Sequence, residues 1–186
     1  MIFETPSVER FCYWLVARFP QLNPFQKEIF QHFSKVYFPD IPIPCHECFG
    51  HFLEFDGLPK EIYIIWDIEK LISYRPSSDM FGYALTSQLL PLQRKNVGAD
   101  RTLYNFNAIS LSHSHRSPFL TIVHIPAMND DILIDGNHRV MEAVKRGKND
   151  AFPIVYLTDE RMLEFLYPES RKFIEGMFFI AHLPIK

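Results

Sequence analysis

The sequence has little glycine, few cysteines and no excess of positive charge. Seven glycines stand against fourteen prolines, which indicates well-defined connections with few flexible linkers. Three cysteines, an odd number, give no disulfide framework, so reduced thiols and a cytoplasmic location are expected. The 19 lysines and arginines are outnumbered by 22 acidic residues, which gives a formal net charge of -3. Autonomous DNA binding needs a surplus of cations and is not expected, although a local basic patch stays open.

Long apolar runs are also missing. Runs such as "IYIIW" and "MFFIA" are far too short to cross a bilayer, and the first ten residues do not have the pattern of a signal peptide. No membrane association is therefore predicted. The residues that the chain has in abundance are aromatic: 18 Phe, 8 Tyr and 2 Trp predict a core built from large rings.

The first hundred residues are predicted to form a mainly helical extension. Apolar residues recur at helical spacing after Thr5 and again after Asn23, and each of these capping residues is followed by a proline, as at the start of a helix. A buried strand is predicted over 61–68 and a further capped helix over 77–92. Residues 1–100 are thus expected to hold one strand among helices.

The second half of the chain has the pattern of a compact strand–strand–helix–strand unit. Strands are predicted over 118–125, over 132–134 and, after a helix, over 152–157. This unit forms a core over 105–160, followed by a helical segment over 161–186. The prediction is a single domain of the α+β or mixed α/β class, with helices before and after this unit in the chain.

Five residues between the second of these strands and the helix carry the candidate chemistry. A helix N terminus exposes unpaired N–H groups and a partial positive charge, which suit an anion. Gly136 allows a tight turn, Arg139 offers a bidentate fork to phosphate, and His138 can donate, accept or exchange a proton. Asn137 adds a backbone N–H group to the turn. Asp135 is unfavourable beside an anion unless it binds a metal, orients His138 or acts as a base.

A structural interpretation of the same residues stays open. Asp135 or Asn137 can cap the helix, and Arg139 can pair with Glu142 or with an appended helix. The full context of strand, loop, helix, glycine and strand favours a phosphate-binding turn with a candidate catalytic carboxylate.

The stretch "ILIDGNHRVMEAVKRGKNDAFPIVYL" resembles the core of the ParB/sulfiredoxin-like superfamily, in which a strand leads into a G-x-x-R loop and a helix. The step from Ser117 and Pro118 into "FLTIVHI" is similar to the strand that precedes this loop in ParB-type domains. The resemblance covers roughly residues 105–160. It implies a ParB/sulfiredoxin-like fold that binds a nucleotide through the loop.

Two branches of that superfamily match the loop in part. ParB proteins read G-E-R-R and contact the phosphates of CTP; Gly136 and Arg139 match, whereas Asn137 and His138 depart, which argues against CTP switching. Sulfiredoxin reads G-G-C-H-R; Gly136, His138 and Arg139 match, but Asn137 takes the place of the nucleophilic cysteine. An amide cannot attack a phosphorylated sulfinate, so sulfiredoxin activity is not expected.

A third branch, the free-serine kinases, carries a similar D-G-H-x-R loop. This resemblance implies a phosphotransferase acting on a small hydroxyl substrate, with Asp135 as base or metal anchor and Arg139 as phosphate clamp. Mg²⁺ with a nucleoside triphosphate would be the cofactor. Other relatives are labelled nucleases, which would need a Mg²⁺-holding set such as Asp130, Asp131 and Asp135. That alternative is weaker because a strand separates Asp131 from Asp135.

The candidate site therefore has named members. Asp135 and His138 are the candidate catalytic residues, Asp135 is also the candidate metal ligand, and the phosphate-binding set is Gly136, Asn137, His138, Arg139 and Arg116. Two alternatives to catalysis stay open: a non-catalytic regulatory module that holds a ligand or a partner's carboxylate, and a capped junction in an interaction protein. Nucleotide turnover distinguishes the enzyme from the module.

A second cluster of possible metal ligands lies at Cys45, Cys48 and His51. The C-x-x-C spacing with a nearby histidine resembles half of a zinc site, but the second half is missing. Buried cysteines acting as small hydrophobic residues are the more economical interpretation. His113 and His115 precede the predicted strand at 118 and are equally compatible with a phosphate site and with an exposed polar loop.

Overall fold

The computed structural model describes residues 8–34, 48–53, 62–93, 117–125, 128 and 130–184. Within these residues the α-helices are α1 (Val8–Arg18), α2 (Gln26–Phe33), α3 (Ile68–Ser73), α4 (Thr86–Leu89), α5 (Asn137–Lys145) and α6 (Pro168–Ala181). The strands are β1 (Cys48–Leu53), β2 (Ile62–Asp67), β3 (Phe81–Leu85), β4 (Leu120–Ile125), β5 (Asp130–Asp135) and β6 (Ala151–Leu157). Short 3-10 helices span Pro20–Phe25, Ser78–Met80, Leu90–Leu92 and Glu160–Phe165.

The strands form two sheets. β1 and β2 pair antiparallel, and the larger sheet has the order β3-β6-β4-β5. Its central pair, β4 and β6, is parallel, whereas the two outer pairs are antiparallel. Helices and a mixed sheet in one chain confirm the predicted α+β class.

Strand β4, at the centre of the larger sheet, is buried on both faces. On one face Leu120 and Ile122 pack with Val140 of α5 and Leu89 of α4. On the other face the alternate residues of β4 join a larger cluster that includes α1, α2 and α6. Strands buried on both faces are nearly continuous hydrophobic runs, which is why β4 was recognisable in the sequence.

Large aromatic rings tie the first two helices to the last one. The ring centroid of Phe11 in α1 lies 5.2 Å from that of Phe33 in α2 and 5.2 Å from that of Phe173 in α6. The hydrophobic cluster that contains them runs without interruption into both sheets. The described N-terminal helices therefore belong to the main core, as the aromatic composition predicted.

The helix predicted over 77–92 is wrong. Phe81–Leu85 form strand β3, which pairs residue by residue with β6, and only Thr86–Leu89 are α-helical. The Ser-Ser-Asp signal taken as a helix cap opens only the 3-10 helix Ser78–Met80. The aromatic residues that follow fit a pleated strand, and pairing with β6 overrode the local capping signal.

The predicted division of the chain changes accordingly. The described part of residues 1–100 contains three strands instead of one, and β3 belongs to the same sheet as β4, β5 and β6. The core predicted over 105–160 therefore begins too late, because its sheet already includes Phe81–Leu85. In the segment 161–186, the part before α6 is a 3-10 helix.

Of the two predicted helix starts, one can be compared with the structure. Thr5 lies outside the described residues. Asn23, the predicted cap of the second helix, lies inside the 3-10 helix Pro20–Phe25, and α2 begins at Gln26. Across the described residues, no helix has the length and apolar character needed to cross a membrane.

Candidate functional site

A β-bulge prepares the end of β5. Ile122 of β4 pairs with Leu133, but the preceding residue, Thr121, pairs with Asp135. One step along β4 thus corresponds to two steps along β5, which bends the strand just before the loop. Bulges of this kind re-aim side chains and are common beside functional sites.

Gly136 then turns the chain into α5. Its φ of 97° is left-handed, a conformation that side chains other than glycine rarely adopt. A Cβ atom at this position would lie 2.1 Å from Cδ2 of Leu120, whose side chain is fully buried. The turn therefore needs glycine for its backbone angle and for its close approach to β4.

The N terminus of α5 has no side-chain cap. The N-cap residue is Gly136, which has no side chain that could accept from the first-turn N–H groups. Asn137 Nδ2 instead donates to Leu133 O at 2.9 Å, and Asn137 O accepts from Gln93 Nε2 at 2.9 Å. Within the described chain, the backbone N–H groups of Asn137 and His138 donate to no protein acceptor, and the His138 side chain is exposed. These donors can face an anion.

The guanidinium of Arg139 is committed to protein acceptors. Nη1 donates to Ser117 O at 2.8 Å, and Nη2 donates to Phe119 O at 2.9 Å and lies 3.4 Å from Asp135 Oδ2. Both members of this ion pair are about four-fifths buried. Arg139 thus ties the chain that enters β4 to the start of α5. Its carboxylate partner is Asp135, whereas Glu142, the alternative partner in the sequence, pairs with Arg146.

Two buried polar atoms beside the loop lack hydrogen-bond partners. Within the described residues these are Thr121 Oγ1 and Asn137 Oδ1. Thr121 is opposite Asp135 in the strand register, and Asn137 is the first residue of α5. Buried polar atoms without a partner are rare in folded proteins and are often completed by a water molecule or a ligand. Both flank the same turn.

The remaining predicted residues lie either outside the described part of the chain or apart from this group. Arg116, His113 and His115 lie outside the described residues. Asp131 is four residues before Asp135 on β5, which corresponds to about 13 Å along the strand. In the part of the chain that the structure describes, no three His, Cys, Asp or Glu side chains converge as a metal-binding group.

The zinc half-site is likewise not assembled among described residues. Cys45 lies outside them, and Cys48 is half-buried in β1. His51 is fully buried, and its Nε2 accepts a hydrogen bond from Trp66 Nε1 at 2.9 Å. A nitrogen that accepts from an indole N–H has its lone pair occupied, so His51 Nε2 is not available to a metal in this arrangement.

Sequence reasoning missed a second polar cluster on the same sheet. His124 Nδ1 lies 2.7 Å from Asp131 Oδ1, and the same oxygen accepts from Tyr156 OH at 2.6 Å. Burial, the hydrogen bond to Asp131 and the charge of that carboxylate raise the pKa of Tyr156 to about 12. The register of the β4–β5 hairpin, in which His124 is opposite Asp131, is the signal that would have revealed the pair.

Comparisons with protein-family models, with curated proteins and with solved structures found no match to this chain.

Proposed function

We propose that the protein binds the phosphate of a nucleotide, or of another phosphorylated small molecule, at the N terminus of α5. The observation that carries this proposal is a helix N terminus capped by a glycine, at which the N–H groups of Asn137 and His138 have no acceptor in the described chain. Two orphaned buried polar atoms beside it, Thr121 Oγ1 and Asn137 Oδ1, give independent support. The function is also the one implied by the resemblance of the loop to ParB/sulfiredoxin-like proteins.

Each residue of the loop has a place in this proposal. The backbone N–H groups of Asn137 and His138 face the anion, and the exposed His138 side chain adds a donor beside it. Gly136 holds the turn against β4. Arg139 acts mainly by positioning, because its Nη1 and Nη2 groups already donate to the carbonyls of Ser117 and Phe119. Arg116 remains a further candidate contact that precedes Ser117 in the chain.

Phosphotransfer to a small hydroxyl is the more specific form of the proposal. Asp135 would accept the hydroxyl proton, and its bond to Arg139 would keep the carboxylate oriented. Mg²⁺ would arrive with the nucleotide, because the described residues offer one carboxylate at the loop and no metal-binding group of three. A cytoplasmic location is part of the same proposal.

The alternative is a non-catalytic regulatory module that holds its ligand at the same loop. The commitment of Arg139 to two main-chain carbonyls favours it, because the expected phosphate clamp is already engaged. Turnover separates the two. In the enzyme, Asp135→Asn abolishes nucleotide turnover and leaves nucleotide binding largely intact, whereas the module shows no turnover in the wild-type protein.

The binding proposal is tested by thermal shift with ATP, CTP, GTP and ADP, each with and without Mg²⁺. We expect at least one nucleotide to raise the melting temperature. His138→Glu should remove that shift without lowering the melting temperature of the free protein, because a carboxylate in the first turn stabilises the helix and competes with phosphate.

Met141→Glu is the matched control. Met141 is exposed on the same helix one turn later, so the variant adds the same negative charge outside the first turn. It should keep the nucleotide shift. No shift with any nucleotide, or equal loss in both variants, would count against phosphate binding at this turn.

A further inference from the structure

The cluster of His124, Asp131 and Tyr156 has the geometry of an oriented base. His124 and Asp131 are directly opposite each other on β4 and β5, and Tyr156 of β6 reaches the same carboxylate oxygen from the other side of β4. Three neighbouring strands of one sheet thus supply the three side chains, so their spacing is fixed by backbone pairing.

The hydrogen bonds determine which imidazole nitrogen carries the proton. A carboxylate oxygen can only accept, so Asp131 Oδ1 accepts from both Tyr156 OH and His124 Nδ1. The neutral His124 ring therefore carries its hydrogen on Nδ1 and its lone pair on Nε2. The phenol stays protonated at neutral pH because burial and Asp131 raise the pKa of Tyr156 to about 12.

The lone pair on Nε2 has no competing partner in the described chain. Asp131 is the one residue there that bonds to the ring, and the His124 side chain is 25% exposed, so water can reach the cluster. Asp131 is itself 37% exposed and carries a negative charge beside the ring. Anionic substrates are therefore disfavoured and neutral ones are preferred.

We propose that the protein hydrolyses neutral, activated carboxylic esters and that His124 is the general base of this reaction. In this step Nε2 takes a proton from a water molecule, and the water oxygen forms a bond to the ester carbonyl carbon. The tetrahedral intermediate then expels the alcohol or phenol as its oxyanion. The resulting imidazolium is stabilised by Asp131 through Nδ1–H and returns its proton to solvent or to the leaving group.

This centre is separate from the proposed phosphate site. His124 is four residues along β4 from Leu120, the residue that contacts Gly136, which corresponds to about 13 Å. Substitution of His124 should therefore leave the nucleotide-induced thermal shift unchanged. The ester-hydrolysis proposal can therefore fail while phosphate binding holds, and the reverse, because the two are measured by different experiments.

The activity is measured with p-nitrophenyl acetate at neutral pH after subtraction of the buffer rate. We expect His124→Gln to lower the protein-dependent rate at least about tenfold, because a well-positioned general base contributes about 10²–10⁴-fold. His182→Gln is the matched control. His182 is exposed and its Nδ1 donates to the Phe178 carbonyl at 2.8 Å, so it has the same tautomer without a carboxylate. It should leave the rate unchanged.

Asp131 is a positioning residue in this proposal, and its test needs a spectroscopic measurement as well. Long-range ¹⁵N–¹H NMR of the wild-type protein should show the His124 hydrogen on Nδ1, and Asp131→Asn should lose that preference along with about tenfold of the rate. The proposal is overturned if the wild-type hydrogen is on Nε2, or if His124→Gln keeps the wild-type rate. The NMR measurement decides it even if a variant fails to fold.

Discussion

At the scale of single residues, the turn at Gly136 is constrained twice. Its left-handed φ of 97° disfavours any side chain, and a Cβ would collide with Leu120 at 2.1 Å. Leu120 has no exposed surface and packs with Ile122, so it has little freedom to move aside. Gly147 after α5 shares the positive φ, at 65°, but a Cβ there would meet nothing within 4 Å. A comparison of substitutions at the two glycines therefore distinguishes the effect of backbone strain from the effect of crowding.

Gly136→Ala should therefore lower the free energy of unfolding by about 3 kcal/mol or more, the sum of a strained backbone and an overpacked contact. Gly147→Ala should lower the free energy of unfolding by about 1–2 kcal/mol, because only the left-handed backbone conformation disfavours alanine there. Chemical denaturation of both variants gives the comparison. Equal losses would show that Leu120 adapts and that crowding plays no part in the choice of glycine.

The conformation of the loop was predictable from the sequence, but its contacts with residues far away in the chain were not. The sequence predicted the turn at Gly136 and the helix that follows, because both depend on neighbouring residues. It assigned the Arg139 fork to phosphate, whereas the structure directs it to the carbonyls of Ser117 and Phe119. Those acceptors are 22 and 20 residues earlier in the chain, a separation at which local pattern carries no information.

At the scale of elements, the packing of α6 on α2 depends on a second close approach. Gly176 of α6 faces the ring of Phe33, and a Cβ there would lie 2.5 Å from Phe33 Cζ. Phe33 is fully buried and also contacts Phe173, with ring centroids 5.8 Å apart. A glycine inside a helix usually costs about 1 kcal/mol relative to alanine, so its presence indicates that contact between the helices outweighs helix propensity.

Gly176→Ala should consequently destabilise the protein by about 1–2 kcal/mol despite the better helix propensity of alanine. Phe33→Leu removes the ring that the new methyl group would meet. In that background Gly176→Ala should cost less, and a double-mutant cycle followed by thermal denaturation measures the coupling between the two positions. A stabilising effect of Gly176→Ala in the otherwise wild-type chain would refute the packing role.

The elements themselves were predictable where hydrophobic pattern and length agreed. β2, β4 and β6 were predicted close to their observed bounds because each is a short run of apolar residues that includes β-branched ones. β3 was missed because Phe81–Leu85 follow a capping signal and precede a leucine-rich turn, both of which favour a helix. Its strand conformation comes from pairing with β6. Phe81 pairs with Val155, which is 74 residues later in the chain (155 − 81), and such pairing is a property of the folded chain.

At the scale of the whole molecule, one hydrophobic cluster includes residues of α1, α2, α3 and α6. It contains Phe11 and Cys12 of α1, strands of both sheets and the buried face of α6. No part of this cluster can be exposed without breaking contacts with the rest, so the elements that contribute to it should unfold together. The N-terminal helices, predicted from sequence as an extension, are thereby part of the same cooperative unit.

Cys12 reports on that unit through its thiol. Burial raises the pKa of Cys12 to about 12 from an ordinary 9.0, so the native thiol is protonated and shielded. At pH 8 we expect iodoacetamide to label Cys12 only at denaturant concentrations that also abolish the far-UV circular dichroism signal. The extent of labelling is measured by mass spectrometry. Because the folded pKa is the higher one, the stability linked to this group is complete below pH 9 and is lost as pH rises towards 12. Cys12→Ala should reduce the loss of stability between pH 9 and pH 12. Labelling of Cys12 well before the loss of secondary structure would show instead that α1 detaches independently of the sheets.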